Sequence, residues 1–182
     1  ELVPEDLTRE NSHESAFMIM ENGMMESIGT CLLQEMARFN GLLGTLRSSL
    51  YMLKRAIQGL IVMSNALDNM FQSILNNKVP ANWEKQAYPS LRPLSSWYTD
   101  MTARVEFFHD WIQNGKPFAY WISAMYFPQG FLTSVLQAYA RFNMVPVDVL
   151  SLQVIAEDFD DPSVLEEAPP EGILVYGMYM DG

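Results

Sequence analysis

QEMARFNGLLGTLRSSLYMLKRAIQGLIVMS, residues 34–64, reads as one long helix. Followed upstream, its apolar positions are Ile28, Leu32, Met36, Phe39, Leu43, Leu46, Leu50, Leu53, Ile57 and Leu60. They are separated almost entirely by alternating steps of three and four, the spacing of a coiled-coil-like seam. A helix from about Met24 to Leu60 would be about 55 Å long, against about 40 Å for the diameter of a globule of this chain length. Either it breaks near a glycine or it lies along a neighbouring surface. The glycines at 41, 44 and 59 each cost about 1 kcal/mol relative to alanine in a helix interior. Close approach of another backbone or a bend would explain them, and a local break at Gly59 is the alternative.

The rest of the composition describes a chain with ample core. Of 182 residues, 49% are hydrophobic, with 13 Met, 10 Phe, 8 Tyr and 4 Trp, far from the composition of disordered chains. Eleven Lys and Arg face 22 Asp and Glu, for a net charge of -11. That balance argues against nucleic acid and anionic membrane as partners. The single cysteine, Cys31, implies no disulfide framework and fits a reducing compartment. The opening ELVPEDLTRENSHES has no basic, apolar leader pattern. The most apolar stretch, FAYWISAMYFPQGFLTSVL from Phe118 to Leu136, is interrupted by Pro128 and Gly130 and reads as two buried helices meeting at a turn.

Other elements follow from local signals. Ser64 is placed to cap a helix from Asn65 to Leu75, with Leu67, Met70, Phe71 and Ile74 as its apolar stripe, ended by Asn76, Asn77 and Pro80. VPANWEKQAYPSLRPLSS reads as a short helical turn and an ordered extended connector. Ser95 or Ser96 would cap a helix carrying Trp97, Met101, Val105, Phe108 and Ile112, widened by Phe107 and Trp111 and closed by Gly115. Pro128 opens a helix to about Arg141. The period then changes: VPVDVLSLQVIAED alternates like a strand, and ILVYGMYM, 173–180, is a second strand candidate. Two strands cannot satisfy their own edges, so they read as the start of a larger β unit, or as a hairpin lying on the helices.

Chemistry is harder to find. The one Gly-Lys pair, in NGKPF at 114–118, lacks the upstream glycine of a phosphate loop and follows a helix. LQVIAED has the look of a magnesium-holding strand end but reads as a plain strand without such a loop. Asp158, Asp160 and Asp161 hint at a calcium loop, yet Ser163 and Pro169 stand where glycine and glutamate belong. His13 and His109 are too few for a zinc site with one thiol, and His109 reads as a partly buried histidine with a local partner. Cys31 has no identifiable activating base, and no nucleophile elbow exists. The residues taken alone describe a noncatalytic α-rich packing module, with no cofactor or metal, or a free-standing acidic helical adaptor whose seam binds a partner helix.

The ordered set of segments adds a family. The seam run, then VPANW, YPSLRPL, DWIQNGKP, WISAMYFPQGFLTSVLQAYAR and VPVDVL, resembles the C-terminal region of dynein heavy chains over roughly residues 24 to 180. AMYFPQGFLTSVLQ and MVPVDVL look more like the axonemal chains, although Pro128 and Ser134 depart from the usual pattern. The resemblance implies a mostly α fold: a helical bundle with a long seam helix, followed by the first strands of a truncated small β-barrel, α+β overall. It implies an arm over 1–23 connecting from the last AAA+ module, a helical subdomain over 24–142 and the start of the β subdomain over 143–182. Relatives continue beyond YMDG with the rest of the barrel. The implied function is a noncatalytic module of an ATP-driven, minus-end-directed microtubule motor, packing on the AAA+ ring and tuning motor output. ATP and magnesium would belong to the parent chain. Microtubules and dynein intermediate and light chains would be partners of the parent complex, in the cytoplasm and cytoskeleton at the axoneme of a cilium or flagellum. Candidates for packing or for the ring interface are Met36, Phe39, Leu43, Leu46, Leu50, Leu53, Ile57, Trp97, Phe108, Trp111 and Trp121.

Overall fold

A computed structural model describes residues 3–156, 165, 167–169 and 172–178. Five helices dominate: α1 (Ser27–Ile57), α2 (Asn65–Leu75), the short α3 (Ala81–Glu84), α4 (Leu94–Asn114) and α5 (Pro128–Phe142). Two three-residue strands, β1 (Ala119–Trp121) and β2 (Leu174–Tyr176), pair in parallel with Ala119 opposite Leu174 and Trp121 opposite Tyr176. The fold is thus mostly α with a small β element. The chain divides into two compact units, one from residues 1–7 and 36–106, the other from 8–35 and 107–182, so that α1 and α4 each contribute to both.

The seam helix stops earlier than its apolar spacing predicts. Gly59 takes a φ of +73°; its N–H donates to Ala56 O at 3.0 Å and that of Leu60 to Arg55 O at 2.9 Å. This pair of bonds satisfies the last carbonyls of α1 as a Schellman closure does, and the left-handed position favours glycine. Ile57 and Leu60 are consequently exposed, outside the buried stripe. Gly41 and Gly44 are exposed too, and a β-carbon built on Gly44 would meet nothing within 4 Å. The close backbone approach lies instead at Gly29, where a β-carbon would stand 3.0 Å from Ala16 O and 3.3 Å from Phe17 Cα.

In the first unit, Met36, Phe39, Leu42, Leu43, Leu46 and Leu53 of α1 are buried together with Met70, Trp83, Trp97 and Met101. The N-terminal arm takes part in this core. Leu7 is buried, and the Asn40 side chain accepts its N–H at 2.8 Å and donates to its carbonyl at 2.9 Å; Asp6 pairs with Arg47. Helix α2 has the bounds its sequence signals predict, with Ser64 Oγ accepting the Leu67 N–H at 3.3 Å. Asn77, at φ +53°, then does double service. It closes α2, and its carbonyl and side-chain oxygens accept the N–H groups of Leu94 and Ser95 at 2.9 and 3.0 Å, so α4 begins at Leu94 ahead of the serine caps.

In the second unit, Phe108, Trp111, Ile112, Tyr120 and Phe131 are buried. Trp111 meets Tyr120 edge-on at 5.0 Å and Phe131 at 6.2 Å. The aromatic run that reads as a helix from Phe118 is β1 followed by a 3-10 turn at Ile122–Ala124, with α5 starting at Pro128. The strand expected from Val147 is a 3-10 turn at Val147–Val149 and then chain without strand pairing through residue 156. β2 covers only part of the 173–180 candidate, of which 179 and 180 lie outside the described residues, and it pairs with β1 in place of the 147–155 segment.

Candidate functional site

Buried ionisable groups are where chemistry would begin, and among the described residues the buried charged side chains Glu26, Glu35, Asp100 and Arg104 have partners within the fold. Asp100 on α4 is nearly inaccessible. Its Oδ2 accepts from Tyr88 Oη and Arg104 Nε, both at 2.8 Å, while Arg92 reaches Oδ1 at 3.0 Å. The Arg104 guanidinium also lies 3.9 Å from the Tyr88 ring centroid, and Tyr88 stacks on Trp97, which stacks on Trp83. Three donors around one buried carboxylate make a packing keystone.

Glu35 on α1 plays the corresponding part in the second unit. Its carboxylate accepts the N–H groups of Tyr126 at 2.7 Å and Phe127 at 3.1 Å. Phe127 is the N-cap of α5 and supplies no side-chain cap, so Glu35 provides the negative charge that a helix start favours. Glu26 Oε2 lies 2.5 Å from Lys116 Nζ. The Tyr120 hydroxyl is pushed well above its ordinary range by burial, with the nearby Glu26 charge adding to the effect, and burial also raises Tyr176. Such phenols stay protonated and are poor bases at neutral pH.

The motifs considered from the sequence resolve into structural parts. In NGKPF, Gly115 at φ +92° ends α4, donating its N–H to Trp111 O at 3.1 Å. A β-carbon there would fall 2.5 Å from Ser15 Oγ. His13 Nδ1 lies 2.8 Å from Ser15 Oγ and stays on the surface. His109 is exposed, contrary to the partly buried setting expected for it, because it lies off the stripe formed by Met101, Val105, Phe108 and Ile112. Among the described residues no cluster of three or more His, Cys, Asp and Glu is placed to hold a metal ion. No helix among them is long and apolar enough to cross a membrane. Asp158, Asp160, Asp161 and Ser163 of the calcium-loop comparison lie outside the described residues.

The packing candidates separate clearly. Met36, Phe39, Leu43, Leu46, Leu53 and Trp97 are buried in the first unit and Phe108 and Trp111 in the second. Leu50 and Trp121 are half-buried and Ile57 is exposed. Trp121 stacks on Tyr176 across the strand pair at 6.3 Å. Sequence reading overlooked Glu35 and Asp100, although a signal exists for each: Glu35 interrupts an apolar stripe between Leu32 and Met36, and Asp100 has Arg104 one turn on.

The described structure is a helical scaffold whose buried charges are paired within the fold, and its relatives give it a family. The protein belongs to the family formed by the C-terminal domain of dynein heavy chains, whose model matches residues 1–182. It is 42% identical over 98% of its length to dynein axonemal heavy chain 6 of Homo sapiens. Over 86% of its length it is 46% identical to dynein axonemal heavy chain 12 of Mus musculus and 43% identical to dynein axonemal heavy chain 1 of Homo sapiens. It spans only 4–5% of the length of these curated relatives.

Proposed function

We propose that this protein is the noncatalytic C-terminal structural and regulatory module of an axonemal dynein heavy chain, packing on the AAA+ ring of that heavy chain and tuning the output of an ATP-driven, minus-end-directed microtubule motor. One observation carries the reading. Phe142, Met144, Val149, Val154 and Ile155 are 84%, 93%, 69%, 76% and 75% exposed within a stretch of fourteen residues, whereas large apolar side chains gathered on a free surface ordinarily mark an interface. The open face at Gly41 and Gly44 is a second place where another surface could come close to the α1 backbone.

In this reading residues 1–23 lead from the last AAA+ module, 24–142 form the helical subdomain and 143–182 open the β subdomain. ATP, magnesium and the microtubule are handled elsewhere in the heavy chain, and intermediate and light chains join through the whole complex at the axoneme. Removing this region from the full heavy chain should leave nucleotide binding intact while changing stall force or the coupling of ATPase to stepping in an optical trap. A truncated motor with unaltered force and coupling would overturn the proposal.

A further inference from the structure

Outside its buried seam, α1 carries a second line of residues at steps of four and three: Asn40, Gly44, Arg47, Tyr51 and Lys54. The first half of this line already holds a length of acidic chain from the same unit. The Asn40 side chain clasps the backbone of Leu7, accepting its N–H at 2.8 Å and donating to its carbonyl at 2.9 Å. Arg47 donates to both carboxylate oxygens of Asp6, and the Leu7 side chain is buried. An acid followed by leucine, in the run Glu5-Asp6-Leu7, is therefore what this line of α1 takes up.

The second half of the line has the same chemistry and is open. Tyr51 and Lys54 are exposed, and the Arg55 guanidinium lies 5.7 Å over the Tyr51 ring. Neither Lys54 nor Arg55 is paired with a carboxylate among the described residues. Just past the closure at Gly59, Leu60 and Val62 are 63% and 88% exposed, so cations and apolar surface follow one another closely. In a protein of net charge -11, residues 36–67 contain Arg38, Arg47, Lys54 and Arg55 and no Asp or Glu. This stretch therefore attracts anionic groups that the rest of the molecule repels. A bilayer presents a broad anionic sheet and would meet that repulsion over its whole area, whereas a single extended chain meets only the local cations. We infer that the face from Tyr51 to Val62 docks an extended acidic segment of a partner polypeptide. Its carboxylates sit on Lys54 and Arg55 and its apolar side chains on Leu60 and Val62, as Asp6 and Leu7 sit one stage earlier on α1. The docking requires no contact with the AAA+ ring.

The probe is a fluorescein-labelled peptide of repeated Glu-Asp-Leu, the order found at residues 5–7, titrated with the 182-residue protein by fluorescence anisotropy. It should bind with a dissociation constant below about 1 mM at low ionic strength and lose most of that affinity in about 1 M salt. Lys54→Glu combined with Arg55→Glu should weaken binding by at least about tenfold, since two attractions become repulsions. Leu60→Ser combined with Val62→Ser should weaken it by about threefold through lost apolar contact. Lys85→Glu should leave the affinity unchanged. That exposed cation precedes Gln86, whose Oε1 is 4.0 Å from a β-carbon built on Gly41, about 20 Å along α1 from Lys54. Near-ultraviolet circular dichroism confirms the fold of each variant. An affinity indifferent to the double reversal, equal weakening by Lys85→Glu, equal binding of a Gln-Asn-Leu peptide, or no binding of the acidic peptide would overturn the proposal. Capture of phosphatidylserine vesicles in preference to the peptide would overturn it too, in favour of a membrane.

Discussion

The seam of α1 and the stretch from Phe142 to Ile155 are both rich in large apolar residues, and they meet opposite fates. Met36, Phe39, Leu42, Leu43, Leu46 and Leu53 disappear into a core. From Phe142 to Ile155 such side chains remain in contact with solvent. Hydrophobicity alone therefore does not decide burial here. The seam repeats at the helical period and so presents one continuous stripe, whereas residues 147–155 alternate like a strand but pair with no strand among the described residues.

If the seam region depends on its internal partners, removing one should be expensive. Asp100→Ala should lower stability by about 3–5 kcal/mol, because it removes from a buried site the carboxylate that Tyr88 and Arg104 both donate to, and urea denaturation will measure it. Base should act on the aromatic core of the second unit. The Tyr120 and Tyr176 pKa values are raised by burial above their unfolded value of about 10, so the protonated form is favoured in the fold. The contribution of these two phenols to stability should be constant below about pH 10 and be lost as pH rises beyond it. Tyr120→Phe should flatten that decline in melts collected across alkaline pH.

Smaller effects sharpen the contrast. Gly44→Ala should stabilise the isolated protein by about 0.5–1 kcal/mol, since the helix gains a better former and the new methyl meets no neighbour. The same change should impair the intact heavy chain if that face is covered there. Val154→Ser should change the stability of the isolated protein by less than about 0.5 kcal/mol, and a large loss would show that the exposed stretch supports the core after all.

The sequence is legible where local chemistry is sufficient. The bounds of α2 follow from Ser64 and the paired asparagines, and the Pro128 start of α5 follows from the geometry of proline. It is illegible where a distant partner decides. Residues 118–127 are nearly all apolar, so no period separates strand from helix, and β1 exists because Leu174–Tyr176 comes alongside it. Leu94 starts α4 because Asn77, well upstream in the sequence, accepts its N–H. Among the packing candidates, periodicity locates most of the buried seam residues but extends the stripe too far, to Ile57, and the break at Gly59, the alternative that the glycine itself offered, is what ends the helix.

The most direct test is hydroxyl-radical footprinting of Phe142 and Met144 in the isolated protein and in the intact heavy chain, with the buried Trp97 and Met101 as internal references. Covering of this stretch by the motor predicts ready oxidation of Phe142 and Met144 in the isolated protein and strong protection in the heavy chain, with both references protected throughout. Equal oxidation of Phe142 and Met144 in the two settings would contradict it.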